Sequence, residues 1–312
     1  MSVDLTNVIV TGASGMIGRR LVSILAGRGI HVTAVSRKEP TWDRHLSVTA
    51  VQADLVAEGG CEDVFDAAEH AGGAVQAVLH LAGMSGSAEA RSRPEDAVRI
   101  NIVLTGRLLD AVQRRGCHRF LLASTGAVYS NLGRMPAQEE DLPLPDSFYS
   151  ATKLAAEAIC QGAAREWGLS CEVARISNVY GPDSPENTVI GRLLGQARRG
   201  DPLEVAVSHP IRDFIHVDEV AEGLIRLLTA SSGFGCRVTN LSTGVGTRVG
   251  EVVATTAAIT SLPVQAGVSS GAGEPDVLVL SNRRLFELTG WRPSCTVEAG
   301  LKSLFLRQGN KI

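Results

Sequence analysis

The 312-residue chain is 44% hydrophobic, 20% charged and only 4% aromatic, with a net charge of −3. That composition supports a sizeable core and argues against disorder, and the length suggests one large α/β unit with a smaller lobe, or two domains. The faintly acidic balance offers no basic field for nucleic acid or anionic lipid, and the scarce aromatics make a wall of base-stacking platforms unexpected.

Asp4 and Asn7 interrupt the amino end, which does not read as a signal peptide. Residues 5–10 are expected to form a first strand, followed by a glycine turn and a helix over 16–26. Strands follow at 31–36, 48–52 and 77–81. A helical stretch over 94–115 leads into a strand at 119–124, and a helix over 150–167 into a strand at 171–176. Continuous apolar runs of this kind suit strands buried on both faces, and their alternation with helices implies crossovers in a parallel sheet. The expected fold class is therefore α/β, a doubly wound parallel Rossmann sheet.

Beyond Tyr180 the pattern loosens into a loop at 181–186, a helix at 188–199, a strand at 203–206, a helix at 217–228 and a mixed tail from about 249. We expect a dinucleotide-binding domain over 1–178, to which the chain returns around 212–240. A smaller substrate lobe would comprise 179–211 and 241–312, with the cleft between them. The six cysteines (61, 117, 160, 171, 236 and 295) form no CxxC pair and no ligand cluster, so they read as reduced thiols of a cytoplasmic protein without a metal site. No run approaches the ~20 apolar residues of a membrane span.

The segment Thr11-Gly12-Ala13-Ser14-Gly15-Met16-Ile17-Gly18 lies between a strand and its helix. Glycines there permit a tight turn and let a pyrophosphate approach the positive end of the helix, while Gly18 allows close packing on the sheet. An NAD-selective site places an acid at the end of the second strand, but this strand ends Ser36-Arg37-Lys38, with no acid until Glu39. A serine hydroxyl and a guanidinium suit a 2′-phosphate, so NADP(H) is favoured over NAD(H). The alternative is that Arg37 and Lys38 are solvated charges and Glu39 serves NAD. Asp54 either meets the adenine, with Leu55 lining its pocket, or caps the next helix. Leu81, Ala82 and Gly83 end the fourth strand with small residues that admit the cofactor, and Asn101 completes that set. His80 reads as a packed strand-end histidine rather than a ligand.

Tyr149 and Lys153 stand four residues apart, on one face of a helix. A free phenol titrates near ~10, and an adjacent ammonium would lower that value toward neutrality. Lys153 also suits ribose hydroxyls, which places it in the cofactor set as well. Thr125 ends the fifth strand, at the carboxyl edge where such sites assemble, and offers a second hydroxyl to the substrate oxygen.

With Ser124-Thr125-Gly126-Ala127-Val128-Tyr129, Arg175-Ile176-Ser177-Asn178-Val179-Tyr180-Gly181-Pro182, Arg212-Asp213-Phe214-Ile215-His216-Val217-Asp218 and Gly290-Trp291-Arg292-Pro293, the chain resembles the extended short-chain dehydrogenase/reductase family. The resemblance is to its nucleotide-sugar epimerase, dehydratase and reductase branch. It implies Tyr149 as proton donor or acceptor, Lys153 as its electrostatic partner and Thr125 as the second hydroxyl. It further implies Asn178 and Arg212 as holders of a nucleotide-sugar diphosphate, with Asn187 as a further substrate contact. The plainer readings are a turn-forming Asn178 and an Arg212 paired with Asp213 or Asp218. The helices at 94–115 and 150–167 resemble those the family pairs into a four-helix homodimer interface.

Three departures bear on the reaction. Dehydratases of this branch carry Asp-Glu directly after the catalytic Thr, where this chain has Gly126-Ala127, neither able to move a proton. Epimerases of the branch retain NAD and prefer an acid after the second strand. A late Arg-Pro-Gly-Asp, whose arginine grips the second phosphate, reads Gly271-Ala272-Gly273-Glu274-Pro275-Asp276 here, so Arg192 or Arg283 must serve if the substrate is a nucleotide-sugar. The expectation is NADPH-dependent reduction of a nucleotide-linked keto sugar, a 4-keto-6-deoxyhexose for choice. The alternatives are a nucleotide-hexose 4-epimerase holding NAD, reduction of an unrelated carbonyl, and an NADP-sensing regulator without turnover.

Overall fold

The computed structural model describes residues 5–38, 47–84, 86–130, 134–230, 233–265 and 276–306. It opens with β1 (Asn7–Thr11), α1 (Met16–Gly27), β2 (His31–Ser36), β3 (Val48–Gln52), α2 (Gly60–Gly72) and β4 (Ala77–His80). Two short helices follow, α3 (Ser87–Ser92) and α4 (Pro94–Val98), then a π-helical turn over Arg99–Val103 and α5 (Leu104–Arg114). Next are β5 (Arg119–Thr125), α6 (Phe148–Trp167), β6 (Ser170–Ile176), β7 (Asn178–Tyr180), α7 (Val189–Arg199), β8 (Ile211–His216), α8 (Val217–Ala230) and β9 (Gly235–Leu241). The tail holds β10 (Gly246–Arg248), α9 (Val249–Thr260), β11 (Val277–Leu278), α10 (Arg283–Thr289) and α11 (Val297–Leu306).

Seven strands form one parallel sheet in the order β3-β2-β1-β4-β5-β6-β9. Both faces are covered, which is why the middle of β1, Val8-Ile9-Val10, is apolar without a break. Val8 and Val10 join Leu21 and Leu25 of α1 and Leu224 of α8 in one core. Ile9 joins Phe65 of α2 and Leu108 of α5 in the other. The strand order reverses between β1 and β4, the place where a doubly wound sheet opens a crevice beyond its carboxyl edge. A second sheet centres on β8, flanked by β10 and β11 and paired with β7. Its core contains Leu193, Leu194, Leu203, Val252 and Leu301. Among the described residues no helix is long and apolar enough to cross a membrane.

Several elements differ from the sequence expectation. Residues 203–206 are not a strand: among the described residues Leu203 makes a bridge to Val264 and no ladder extends it. The stretch 94–115 is not one helix, because the π-turn interrupts it and gives Asn101 a register of its own. From 212 the chain first enters the small sheet, and it is β9 that joins the large one. Arg237 and Thr239 make β9 look polar, yet both bond the carboxylate of buried Glu172 on neighbouring β6, at 2.8 and 2.7 Å. Helix α6 starts two residues before the expected Ser150, because Ser147 and Ser150 form a reciprocal capping box. Tyr149 therefore sits inside the first turn and not ahead of it.

Candidate active site

A cleft of about 1710 Å³ opens along the carboxyl edge of the large sheet and extends under the small lobe. Drug-sized ligands occupy roughly 300–1,000 Å³, so this volume accommodates a dinucleotide and a second ligand together. Gly12, Ser14, Gly15, Met16, Ile17 and Gly18 line one end. Gly12 has φ +69°, and a Cβ there would lie 2.6 Å from the Ala82 nitrogen, so β1 and β4 approach at the switch point only because this residue is glycine. A Cβ on Gly18 would lie 2.2 Å from the Gly12 carbonyl oxygen. Helix α1 has no side-chain cap and no acid in its first turn, which leaves its amino end open to an anion. These features fit a dinucleotide pyrophosphate.

Farther along, Ser36 lines the cleft but is largely buried, its hydroxyl donating to the Lys38 carbonyl. Arg37 and Lys38 are exposed on the cleft wall and make no ion pair among the described residues. Glu39, the acid weighed against them, lies outside the described residues, as do the 271–275 part of the late segment and Asp4. Asp54 accepts the Val56 amide at 3.1 Å in a local turn, and Gly59 precedes α2, so Asp54 does not cap that helix. It lines the cleft, next to buried Leu55.

Leu81, Ala82 and Gly83 also line the cleft, where a Cβ on Gly83 would lie 3.1 Å from the Asn101 carbonyl oxygen and 3.8 Å from the Lys153 Nζ. Asn101 itself is buried behind the wall. Its carbonyl accepts the Met84 amide at 2.9 Å and its amide donates to the Thr152 hydroxyl at 2.9 Å. The π-turn thus aims Asn101 at the loop after β4, where it ties that loop to α6, and Asn101 is not among the residues lining the cleft. His80 is packed between the hydroxyls of Thr11 (2.8 Å) and Thr105 (3.2 Å), and burial, with the Lys153 ammonium nearby, pushes its pKa down to about 3.

Thr125, Tyr149 and Lys153 all line the cleft. Thr125 accepts the Ala127 amide at 3.2 Å and is hydrogen-bonded to the Tyr149 hydroxyl. Desolvation raises the Tyr149 pKa, opposed by that bond. The Lys153 ammonium donates to the Ala123 carbonyl at 2.5 Å, and burial lowers its pKa to about 8, with Glu157 pulling the other way. In this arrangement the lysine reaches down to β5, and Thr125 rather than the ammonium is the phenol's hydrogen-bond partner.

The acid–base positions of a dehydratase hold Gly126 and Ala127, neither of which can move a proton, and Ala127 lines the cleft. A Cβ on Gly126 would lie 2.8 Å from the methyl groups of Leu280, so a larger side chain there would require that leucine to shift. Behind the site runs a buried network without an obvious sequence signal. Ser124 donates to Glu157, which Arg175 grips through two nitrogens (2.7 and 3.1 Å), while Arg175 also donates to the Tyr129 hydroxyl at 2.6 Å. Tyr129 in turn donates to Asn240 at 3.0 Å. Only the position of Glu157, one turn beyond Lys153, hinted at it.

On the lobe side, Asn178 donates to the Asp213 carbonyl at 3.3 Å and borders the cleft, and exposed Asn187 lies on its rim. Arg212 lines the cleft but is paired with Asp276, donating to its carboxylate and, at 2.7 Å, to its carbonyl. Neither plainer partner takes it. Asp213 is buried and accepts Thr243 and Gly244, and Asp218 pairs with Arg20.

A parallel sheet with a glycine turn at its switch point, and a Thr-Tyr-Lys set on the same cleft, is the architecture of a dinucleotide-dependent enzyme. The chain belongs to the NAD dependent epimerase/dehydratase family, whose model matches residues 8–241. It is 30% identical to a GDP-6-deoxy-D-mannose reductase of Pseudomonas aeruginosa, over 95% of this chain and 94% of that one. It is 28% identical to a UDP-glucose 4-epimerase of Corynebacterium glutamicum, over 92% and 91%. The solved structure of MoeE5 in complex with UDP-glucuronic acid and NAD superposes with a TM-score of 0.86 at 31% identity, covering 98% of this chain and all of that one (100%).

Proposed function

We propose that this enzyme is an NADPH-dependent reductase of a nucleotide-linked keto sugar, a 4-keto-6-deoxyhexose. The observation that carries the reading is the charge pattern of the cleft. At the end of β2 stand Arg37 and Lys38, two cations without an ion pair among the described residues, and the carboxylates among the described lining residues are Asp54 and Asp183. Asp54 is turned to its own backbone and Asp183 pairs with Arg19 at 3.0 Å, so neither serves as an acid beside Thr125. The likeness to a GDP-6-deoxy-D-mannose reductase supports the same reading.

When bound, a reduced nicotinamide supplies the hydride. The open end of α1 holds the pyrophosphate, and Arg37 with Lys38 holds the 2′-phosphate. The raised pKa of Tyr149 keeps its hydroxyl protonated near neutrality, the form needed to protonate the carbonyl oxygen. Thr125 donates to the same oxygen, a bond that strengthens as charge develops there. Lys153, charged below about 8, stabilises the phenolate left behind. Met84 packs against Tyr149 and lines the cleft, an apolar surface beside the phenol that suits a deoxy sugar. The reading places Asn178 and Asn187 along the sugar and its diphosphate. For the assembly, we propose a homodimer through the outer faces of α5 and α6, where exposed Val103 borders α5 and Ala151 and Ala158 are exposed on α6; a monomer by sedimentation would contradict it.

The second reading is a nucleotide-hexose 4-epimerase, favoured by the likeness to UDP-glucose 4-epimerase. Incubation with NADPH or NADH and a panel of nucleotide-linked 4-keto-6-deoxyhexoses separates the two. Reduction consumes NADPH steadily, and Arg37→Ala raises the KM for NADPH about tenfold or more while leaving that for NADH nearly unchanged. An epimerised hexose with no net cofactor consumption supports the epimerase instead, and binding of NADPH without turnover supports a sensor.

A further inference from the structure

Lys153 occupies a poor place for a cation. Its ammonium is buried and donates to the Ala123 carbonyl at 2.5 Å, a neutral partner. Burial without an opposite charge favours loss of the proton, and it draws the Lys153 pKa down to about 8, with Glu157 pulling the other way. The other titratable groups around it do not take on that duty. On α6, burial keeps the Tyr149 phenol protonated and pushes the Cys160 thiol well above its usual range. From β4 comes His80, neutral with a pKa of about 3. Cys171 of β6 and Cys236 of β9, both acting on Cys160, are thiols that burial pushes up to about 12. Arg99, from the π-helical turn on the cleft wall, pairs with Asp96 at 3.6 Å.

Glu157 stands four residues beyond Lys153, on the same face of α6. The two are fastened to adjacent residues of β5, Lys153 through the Ala123 carbonyl and Glu157 through the Ser124 hydroxyl, which donates to it. Arg175 of β6 fixes both carboxylate oxygens, donating through Nε to Oε1 at 3.2 Å and through Nη2 to Oε2 at 2.7 Å. Glu157, Ser124 and Arg175 are all buried, and Glu157 is not among the residues lining the cleft. An ion pair of this kind could anchor α6 with no bearing on the chemistry. Its attachment next to Lys153 gives one carboxylate two cations: Arg175, which orients it, and Lys153, whose charge it offsets.

We propose that Glu157 is a positioning residue for the reaction: from behind the cleft, touching neither substrate nor cofactor, its carboxylate is the counter-charge that holds Lys153 as an ammonium beside Tyr149. The role rests on the reading above of Lys153 as the phenolate's electrostatic partner. Ser124 adds a mechanical link, since the strand end that carries Thr125 is tied to the same carboxylate.

The test reads Lys153 directly, in the full chain without substrate or cofactor. The sequence holds four lysines, Lys38, Lys153, Lys302 and Lys311, so lysine labelled with carbon-13 at Cε gives four NMR signals to follow with pH, and Lys153→Met assigns the one of interest. In the unaltered protein its midpoint is expected at about 8. Glu157→Gln, which keeps an acceptor for Ser124, should lower that midpoint by about one pH unit or more. Should this variant not fold, Glu157→Gln combined with Arg175→Met strands no buried charge, and its midpoint should fall as well. A purely structural pair would give lost stability with the midpoint unmoved. An unmoved midpoint in either folded variant would therefore overturn the proposal and leave the reductase reading standing. In turnover, the alkaline limb of the kcat profile should move with the midpoint, and a limb that stayed put would overturn the part of Glu157 in the reaction. A lowered midpoint in a protein that reduces no keto sugar would sink the reductase reading and leave the action of Glu157 on Lys153 intact.

Discussion

Desolvation acts on Tyr149 and Lys153 in opposite charge senses: it keeps the phenol neutral and works against the ammonium. The consequence for stability can be read with its sign. The Lys153 pKa falls from 10.5 to about 8 on folding, so below about 8 the folded chain carries a buried charge at a cost. As pH rises from about 8 toward 10.5 the folded form loses its proton first, and the cost fades. Lys153→Met should therefore stabilise the ligand-free protein near neutrality by roughly 1–3 kcal/mol, after allowance for the lost bond to the Ala123 carbonyl, while abolishing turnover. Denaturant unfolding across that pH range checks this, and a variant no more stable than the parent at neutrality would refute it. The residue types of this site were legible in the chain, but their partners were not. A four-residue spacing placed Tyr149 and Lys153 on one face, yet nothing local says that the lysine bonds a strand carbonyl or that Thr125 takes the phenol.

Helix α6 shows why. Its start depends on a capping box between Ser147 and Ser150, hidden in a run of prolines and polar residues that reads as loop. Its anchorage depends on Glu157, which meets Arg175 of β6 only in the folded chain. That pair is almost wholly enclosed (1% and 4% exposed), so removing one partner strands a buried charge. Glu157→Leu is expected to cost about 3–5 kcal/mol by denaturant unfolding, and adding Arg175→Met should recover much of it. A loss under 1 kcal/mol would show that the pair does not hold α6 to the sheet. The misread elements follow the same logic. The run at 203–206 has strand-like residues but no neighbouring strand among the described residues, whereas β9 has polar residues whose partner, Glu172, is supplied by β6.

For the whole molecule, the alternation of apolar runs and helices was enough to foresee a doubly wound parallel sheet, because burial on both faces is a property of each strand alone. The strand order, the seventh strand and the second sheet around β8 arise from long-range pairing and became visible only in the fold. The same holds for the distribution of charge. Which cations are neutralised, and which remain available to two anionic ligands, depends on partners as distant in sequence as Arg212 and Asp276.

The most direct measurement follows the hydride. Stoichiometric NADPH carrying deuterium at the transferable position is mixed with a nucleotide-linked 4-keto-6-deoxyhexose, and the sugar product is read by mass spectrometry and NMR. Deuterium bonded to the former carbonyl carbon, one oxidised cofactor released per sugar, and loss of transfer in Tyr149→Phe are expected. Undiminished NADPH alongside an unlabelled hexose of inverted configuration would contradict the reductase assignment.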